Sequence, residues 1–311
     1  MKEHKGAHAF KSDHPTVVTI GTFDGVHAGH QKIIERLVKT AKSSNLESVI
    51  LTFFPHPRMV LQKDSDIKLI NTIEERKQIL EKSGVDHLII HPFTYQFSRL
   101  SALEFVRDIL VDKLKAKKII IGYDHRFGRN RTANITSLKE FGKQFDFEVE
   151  EISEQDIDDV AVSSTKIRKA LQSGKVEKAN TYLQYPFALT GKVVKGKGLG
   201  KKFVFPTANI KIEEKYKLIP KNGVYVVRSK IDDKLVYGMM SIGTNPTVGG
   251  TEKTIETNFF LPDTDLYGKI LQIEMLTRIR DEKKFDSVED LKAALIEDKA
   301  FSEHFIKDNY A

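Results

Sequence analysis

Residues 21–30 read GTFDGVHAGH, after the apolar run Val17-Val18-Thr19-Ile20 and before Gln31 to Ser43. In that following stretch Ile33, Ile34, Leu37, Val38 and Ala41 recur at helical spacing. The order predicted is strand, glycine-rich turn, helix, with His27 and His30 where the helix begins. Residues at i and i+3 share a helix face. A helix N-terminus also presents unpaired N–H groups and a partial positive charge. Two imidazoles there, with Gly21, Gly25 and Gly29 letting a ligand approach the backbone, make a seat for a polyphosphate. Two other readings stand beside this one. A zinc site would ordinarily bring three close ligands and often a glutamate base, and no HExxH pattern is present. The other is a histidine pair that only packs.

Working outward, the first half alternates strand and helix. Apolar runs at Val49 to Phe53, Leu88 to Ile90 within His87 to His91, Lys118 to Ile121 and Phe145 to Val149 predict further strands. Thr72-Ile73-Glu74-Glu75 and Ser101-Ala102-Leu103-Glu104 have the spacing of helix capping boxes. Such alternation predicts a parallel sheet covered by helices. The unusual residues then fall in one place. Gly21 to His30, Phe54 to Pro57, Pro92 to Phe97 and Gly122 to Gly128 each follow a predicted strand. Ligands of open α/β sheets bind beyond the carboxyl ends of strands. Farther on, VSSTKIR (Val162 to Arg168) opens a helix with three hydroxyls before Lys166 and Arg168, more than an N-cap requires. It reads as an anion site.

After Pro186 the texture changes. Before it a short helix at Val176 to Leu183 leads to Tyr185-Pro186; beyond it come Val224 to Val227, Lys234 to Met240, Ile255 to Phe260 and Leu271 to Leu276, separated by turn residues. Leu271, Ile273 and Met275 alternate with Gln272 and Glu274, the period of a half-buried strand. Several such strands in sequence predict a compact β-barrel. A closing helix starts at Ser287-Val288-Glu289-Asp290, with Leu291, Leu295 and Phe305 facing inward. The expected domains are 1–185 and 186–311.

Composition narrows the chemistry. A chain of 311 residues suits two domains. It has no cysteine, which excludes a disulfide framework and thiolate catalysis. No apolar run approaches the ~20 residues that span a bilayer. The polar start MKEHKGAHAFKSDHP lacks a signal-peptide core. A cytoplasmic protein is expected, with no membrane partner. Net charge of +7 implies an anionic partner without naming it. No zinc-finger spacing or aromatic RNA-recognition string appears, so no nucleic acid is expected.

GTFDGVHAGH resembles the HxGH signature of nucleotidylyltransferases, in the form found in bacterial bifunctional riboflavin kinase/FAD synthetases. The resemblance implies an α/β fold with a Rossmann-like nucleotidylyltransferase domain and parallel sheet, then a small C-terminal β-barrel riboflavin kinase domain ending in a helix. It implies ATP binding by Gly21, Phe23, Gly25, Gly29, Ser164, Thr165 and Arg168, with His27 and His30 catalytic. GYDHRFG is similar to the family's flavin-side motif, which implies Asp124, Arg126 and Phe127 at FMN, with His125 in place of a usual aromatic residue. TFFPHPR and PFTYQFSRLSALEF also resemble family segments, which makes Phe54, Phe93 and Phe97 candidate pocket walls.

The second half carries its own resemblance. GKVVKGKGLGKKFVFPTAN (Gly191 to Asn209) could form a phosphate-cradling loop, though it is not a Walker A string. It is similar to the riboflavin kinase signature. That implies ATP binding by Gly191, Gly196 and Gly200, and Mg2+ held by Thr207 and Asn209, oxygen donors that suit this ion. Glu256, within IETNFFLPDTDLYGK, is implied as the base for the ribityl hydroxyl. Three departures occur, at Lys195, Val204 and Asn258. The function implied is riboflavin phosphorylation to FMN and FMN adenylylation to FAD, with ATP as co-substrate and pyrophosphate released. Two alternatives stay open. One is an FAD synthetase with a weak or inactive kinase module. The other is a flavin-sensing regulatory or nucleic-acid-binding protein.

Overall fold

The computed structural model describes residues 1–62, 66–123, 125–153, 162–196, 206–244, 253–261 and 264–310. The chain divides into two compact units, Met1–Ser164 and Thr165–Ala311.

The first unit is a parallel sheet in the order β1-β4-β3-β2-β5-β6. Its strands are β1 Lys2–His4, β2 Thr16–Ile20, β3 Glu47–Phe54, β4 His87–Pro92, β5 Ala116–Gly122 and β6 Glu148–Ile152. The helices are α1 Ala28–Ser44, α2 Pro57–Leu61, α3 Ile73–Glu81, α4 Ala102–Glu104 and α5 Ile135–Phe145, and α4 runs directly into a π-helix at Phe105–Val111. Every residue of β2 is buried, because helices cover both sheet faces, and this is why the central strands read as continuous apolar runs. Strand alternation divides the core in two. Val18 and Ile20 pack with Phe105, Leu110 and Leu138 on one face. Val17 packs with Ile33, Leu37 and Leu80 on the other. Both predicted capping boxes are formed, by Thr72 with Glu75 and by Ser101 with Glu104.

Strand order reverses around β2, with β3 on one side and β5 on the other. A crevice outside the carboxyl ends is thereby set at this switch point. The Gly21 to His27 loop leaves β2 at that crevice.

Two strand expectations need correction. The strand placed at Phe145 to Val149 is Glu148–Ile152. Phe145 ends α5, and Asp146, at φ +58, caps it. The polar N-terminus supplies an edge strand that periodicity did not suggest. β1 is recruited by hydrogen bonds: Lys2 N–H to the Asp86 carbonyl at 2.7 Å, His4 Nε2 with His87 Nδ1 at 3.0 Å, and Ala7 N–H to His91 Nδ1 at 3.0 Å.

The second unit opens with α6 Ser164–Gln172, whose first residue belongs to the first unit, and α7 Val176–Leu183. A closed antiparallel barrel follows, in the order β10-β11-β8-β7-β12-β9. Its strands are β7 Ala188–Val194, β8 Ala208–Lys211, β9 Gly223–Ile231, β10 Lys234–Thr244, β11 Lys253–Phe259 and β12 Ile270–Arg280, and α8 Val288–Tyr310 closes the chain. In β12 Leu271, Ile273 and Met275 are buried and Gln272 is exposed, as the alternation predicts. The glycine-lysine stretch expected to form a phosphate loop begins inside β7. Gly191 instead lies buried within the strand, where a Cβ would stand 2.6 Å from the Ile210 side chain and 2.7 Å from the Lys211 carbonyl. Its glycine serves strand packing.

Side chains fasten both helices to the barrel. Asn180 on α7 donates to the Met275 carbonyl at 2.9 Å and accepts from Phe187 N–H at 2.8 Å. Arg280 grips Asp298 on α8 through two bonds of 2.8 and 2.7 Å. Asp298 and Ser302 are the buried residues of α8. Leu291, Leu295 and Phe305, expected inward, are half-buried.

Candidate functional site

The loop after β2 is held in a shape that its own residues resist. Phe23, Gly25 and Val26 have φ of +47°, +87° and +37°, and a left-handed backbone at a bulky or β-branched residue costs about 1–3 kcal/mol. Surrounding bonds impose the turn. Gln31 donates to the Val26 carbonyl at 2.9 Å, Thr52 to the Thr22 carbonyl at 3.2 Å, and Ser164 to the Asp24 carbonyl at 2.9 Å. The buried Asp24 carboxylate accepts N–H bonds from Ile70 at 2.9 Å and Asn71 at 3.4 Å. The site is therefore shaped before any ligand arrives.

His27 stands at the N-cap of α1 without capping it by its side chain. Its ring stacks on His30, centroids 3.7 Å apart and planes 17° apart. Phe23 meets His30 edge-on at 5.2 Å. Burial, then His27, then Arg76 push the His30 pKa well below the ordinary histidine value. His30 Nδ1 is buried without a hydrogen-bond partner. A neutral imidazole beside a helix N-terminus can donate to phosphoryl oxygens as charge develops on them. Among the described residues no group of three histidine or carboxylate side chains could hold a metal.

Ser164 is thus brought to the loop after β2, and Thr165 and Arg168 follow on α6 within the second unit. Phe23 is fully buried and forms part of the core beneath the histidines. Gly21 leaves room for that ring, since a Cβ there would lie 3.1 Å from it.

Across the same strand ends runs a band of rings. Phe93, Phe53 and Phe97 lie within 5.7 Å of one another, Phe97 continues to Phe105 at 6.0 Å, and Phe105 to Phe127 at 6.0 Å. His125 is near-parallel to Phe127 at 6.1 Å and 24°, so an aromatic face remains where the motif departs. Phe93 and Phe97 thus come together with Phe53, and strand alternation turns Phe54 to the opposite sheet face. Phe127 is buried in the core and Arg126 is exposed. Asp124 lies outside the described residues.

In the barrel, Thr207 donates to Glu256 at 3.2 Å. Glu256 pairs in register with Asn209 across β11 and β8. Gly196 lies directly against the Asn209 side chain, so that a Cβ there would require the Asn209 amide to move. Asn258 Nδ2 donates to the Pro206 carbonyl at 2.7 Å and fixes the start of the Pro206-Thr207-Ala208-Asn209 string. A cavity of about 470 Å³ opens beside Thr207, walled by Val193, Thr257, Phe259, Leu266 and Tyr267 among others. Gly200 and Val204 lie outside the described residues.

Family models match on both halves, FAD synthetase over residues 9–166 and riboflavin kinase over residues 183–306. The chain is 37% identical over 303 residues to a bifunctional riboflavin kinase/FMN adenylyltransferase of Buchnera aphidicola, covering 96% of each chain. The chain belongs to the bifunctional riboflavin kinase/FMN adenylyltransferase family. The Escherichia coli K12 member is 33% identical over 93% of this chain and 92% of its own. A solved structure described as a macrolide-efflux protein from Streptococcus pneumoniae superposes with a TM-score of 0.88, at 32% identity, over 100% of this chain and 99% of its own. Among the described residues no helix is long and apolar enough to cross a membrane.

Within the FAD synthetase half, sequence reasoning missed Asp24, Arg76, Thr52 and Phe53. Phe53 was reachable from the two-residue period of β3. Arg76 carried no signal, since a charged residue on a short helix reads as a solvated face. In the riboflavin kinase half it missed the cavity walls Phe259, Leu266 and Tyr267. It also treated Asn258 only as a departure, whereas its amide holds the start of the Pro206-Thr207-Ala208-Asn209 string in place.

Proposed function

We propose that residues 1–185 transfer the adenylyl group of ATP to FMN, and residues 186–311 transfer the γ-phosphoryl group of ATP to riboflavin. In the first reaction an FMN phosphate oxygen attacks the α-phosphorus and the bond to the β-phosphate oxygen breaks, giving FAD and pyrophosphate. The nucleophile is already anionic, so catalysis is positioning and charge stabilisation. His27 and His30 donate to the phosphoryl oxygens, Ser164, Thr165 and Arg168 serve the polyphosphate, and Gly25 and Gly29 let it approach the backbone. The ring band through Phe93 and Phe97 faces the flavin, and the motif assigns Asp124, Arg126 and Phe127 to the same ligand. The observation that carries this reading is the stacked pair His27, buried, and His30, half-buried, at the switch-point loop.

In the second reaction the acceptor is a neutral alcohol, which gains from a positioned carboxylate. Glu256 takes the ribityl proton as the O–P bond forms and ADP departs. Mg2+ supplies charge neutralisation at the phosphates when bound. Thr207 and Asn209, hard oxygen donors beside one carboxylate, are a set this ion accepts together with substrate oxygens and water. The signature assigns Gly196 and Gly200 to the triphosphate, and the neighbouring cavity receives a substrate ring. A cytoplasmic setting belongs to the same proposal.

The test supplies the purified full chain with Mg2+-ATP and either riboflavin or FMN, and follows FMN, FAD, ADP and pyrophosphate. FMN from riboflavin and FAD from FMN are expected. FAD from FMN without FMN from riboflavin would leave only the synthetase. Turnover of neither substrate would overturn the reading.

A further inference from the structure

A buried ion pair joins the loop that carries the histidines to α3. Arg76 on α3 is 1% exposed, Asp24 in the nucleotide loop is fully buried, and Nη2 stands 3.8 Å from Oδ1. Removing two charges from water is expensive, and well-packed apolar residues commonly replace such pairs at no loss of stability. Backbone N–H groups of Ile70 and Asn71 already engage the Asp24 carboxylate. The loop could be tied down without a guanidinium.

What the guanidinium adds is a fixed positive charge next to the phosphate seat. Its influence reaches His30, where it joins burial and His27 in disfavouring the imidazolium form. The groups acting on His30 are His27 from the loop and Arg76 from α3, with Asp24 paired to the guanidinium. Rings stacked 3.7 Å apart cannot both carry charge cheaply. A mobile proton on either would compete with the N–H geometry that a phosphoryl oxygen requires. A buried cation, held at a set place, avoids that conflict.

We propose that Arg76 is a positioning residue for adenylyl transfer: anchored by Asp24, it gives the loop a permanent positive potential, so that the polyphosphate meets imidazole donors backed by an immobile cation. On the adenylyltransferase reading, on which this depends, Arg76 acts through His27 and His30 and does not itself touch the reacting atoms.

The experiment uses the full chain with three variants: Arg76→Lys, Arg76→Met, and the double variant Asp24→Asn/Arg76→Met, which removes both charges of the pair. FMN formation from riboflavin monitors folding, FAD formation from FMN is measured against pH, and the His30 ring is titrated by NMR. In the double variant we expect FMN formation to persist and kcat/KM for ATP in FAD formation to fall about tenfold or more, the scale of one charge-assisted interaction. The acid limb of that profile and the His30 titration should both move to higher pH. Arg76→Lys should keep most of the activity and the parent titration. An unmoved His30 titration and pH profile would overturn the inference, as would an Arg76→Lys variant as impaired as Arg76→Met. A parent protein that forms no FAD would instead sink the underlying reading.

Discussion

Gly142 shows how one atom can oppose a general preference. It sits in the last turn of α5, where helix propensity alone would favour alanine by about 1 kcal/mol. A Cβ at this position would lie 2.6 Å from the Phe147 carbonyl, backbone that cannot swing aside. Gly142→Ala should therefore destabilise the protein by about 1–3 kcal/mol, the usual cost of overpacking, and a denaturant melt reads this directly. At Glu256 the expectation concerns rate. Glu256→Gln keeps a partner for the Thr207 hydroxyl but cannot take the ribityl proton. Its kcat for FMN formation should fall about 10²- to 10⁴-fold, the range for a lost general base, with KM for riboflavin little changed. A KM increase with kcat intact would mark Glu256 as a binding residue. The same scale explains what the residues themselves disclosed. His27 and His30 were legible because strand, glycine turn and helix leave few places for two imidazoles. Arg76 was not, because its burial comes from a loop 52 positions earlier, and nothing local announces it.

At the scale of elements, β1 is held to β4 by histidines. His91 Nδ1 must be unprotonated to accept the Ala7 N–H, and burial followed by the charge of His8 lowers its pKa. His87 is lowered as well, chiefly by burial, against the opposing pull of Glu47. A histidine whose folded pKa is depressed leaves the unfolded chain binding more protons. Stability then rises with pH between the folded and unfolded values and is lost as pH falls from about 6.5. We expect the melting temperature to drop over that window, and His91→Gln, whose amide oxygen can accept the same N–H, to flatten part of the slope. At the other end of the chain, Asp298→Ala removes both bonds from Arg280. It should cost about 2–3 kcal/mol, with hydrogen exchange accelerated first in α8. Elements were legible where pattern dictated them: the central strands, both capping boxes and α7. β1 and β7 were not, since polar edge residues and glycine-lysine composition lack the usual marks of a strand, and tertiary contacts made them strands.

For the molecule as a whole, the proposal gives adenylyl transfer to residues 1–185 and phosphoryl transfer to residues 186–311, each with its own proposed phosphate loop and its own aromatic or apolar wall. The parallel sheet gathers four loops at one rim because all its strands run the same way. The barrel gathers Thr207, Asn209 and Glu256 because β8 and β11 are neighbours in register. The architecture was readable in advance, because periodicity switches near Pro186 from alternating helix and strand to strands alone. The central claim is that adenylyl transfer and phosphoryl transfer use separate machinery. His30→Ala in the full chain tests it most directly, with FAD formation from FMN and FMN formation from riboflavin measured on the same folded sample. The account predicts that FAD formation is abolished while FMN formation continues at the parent rate; equal loss of both would contradict it.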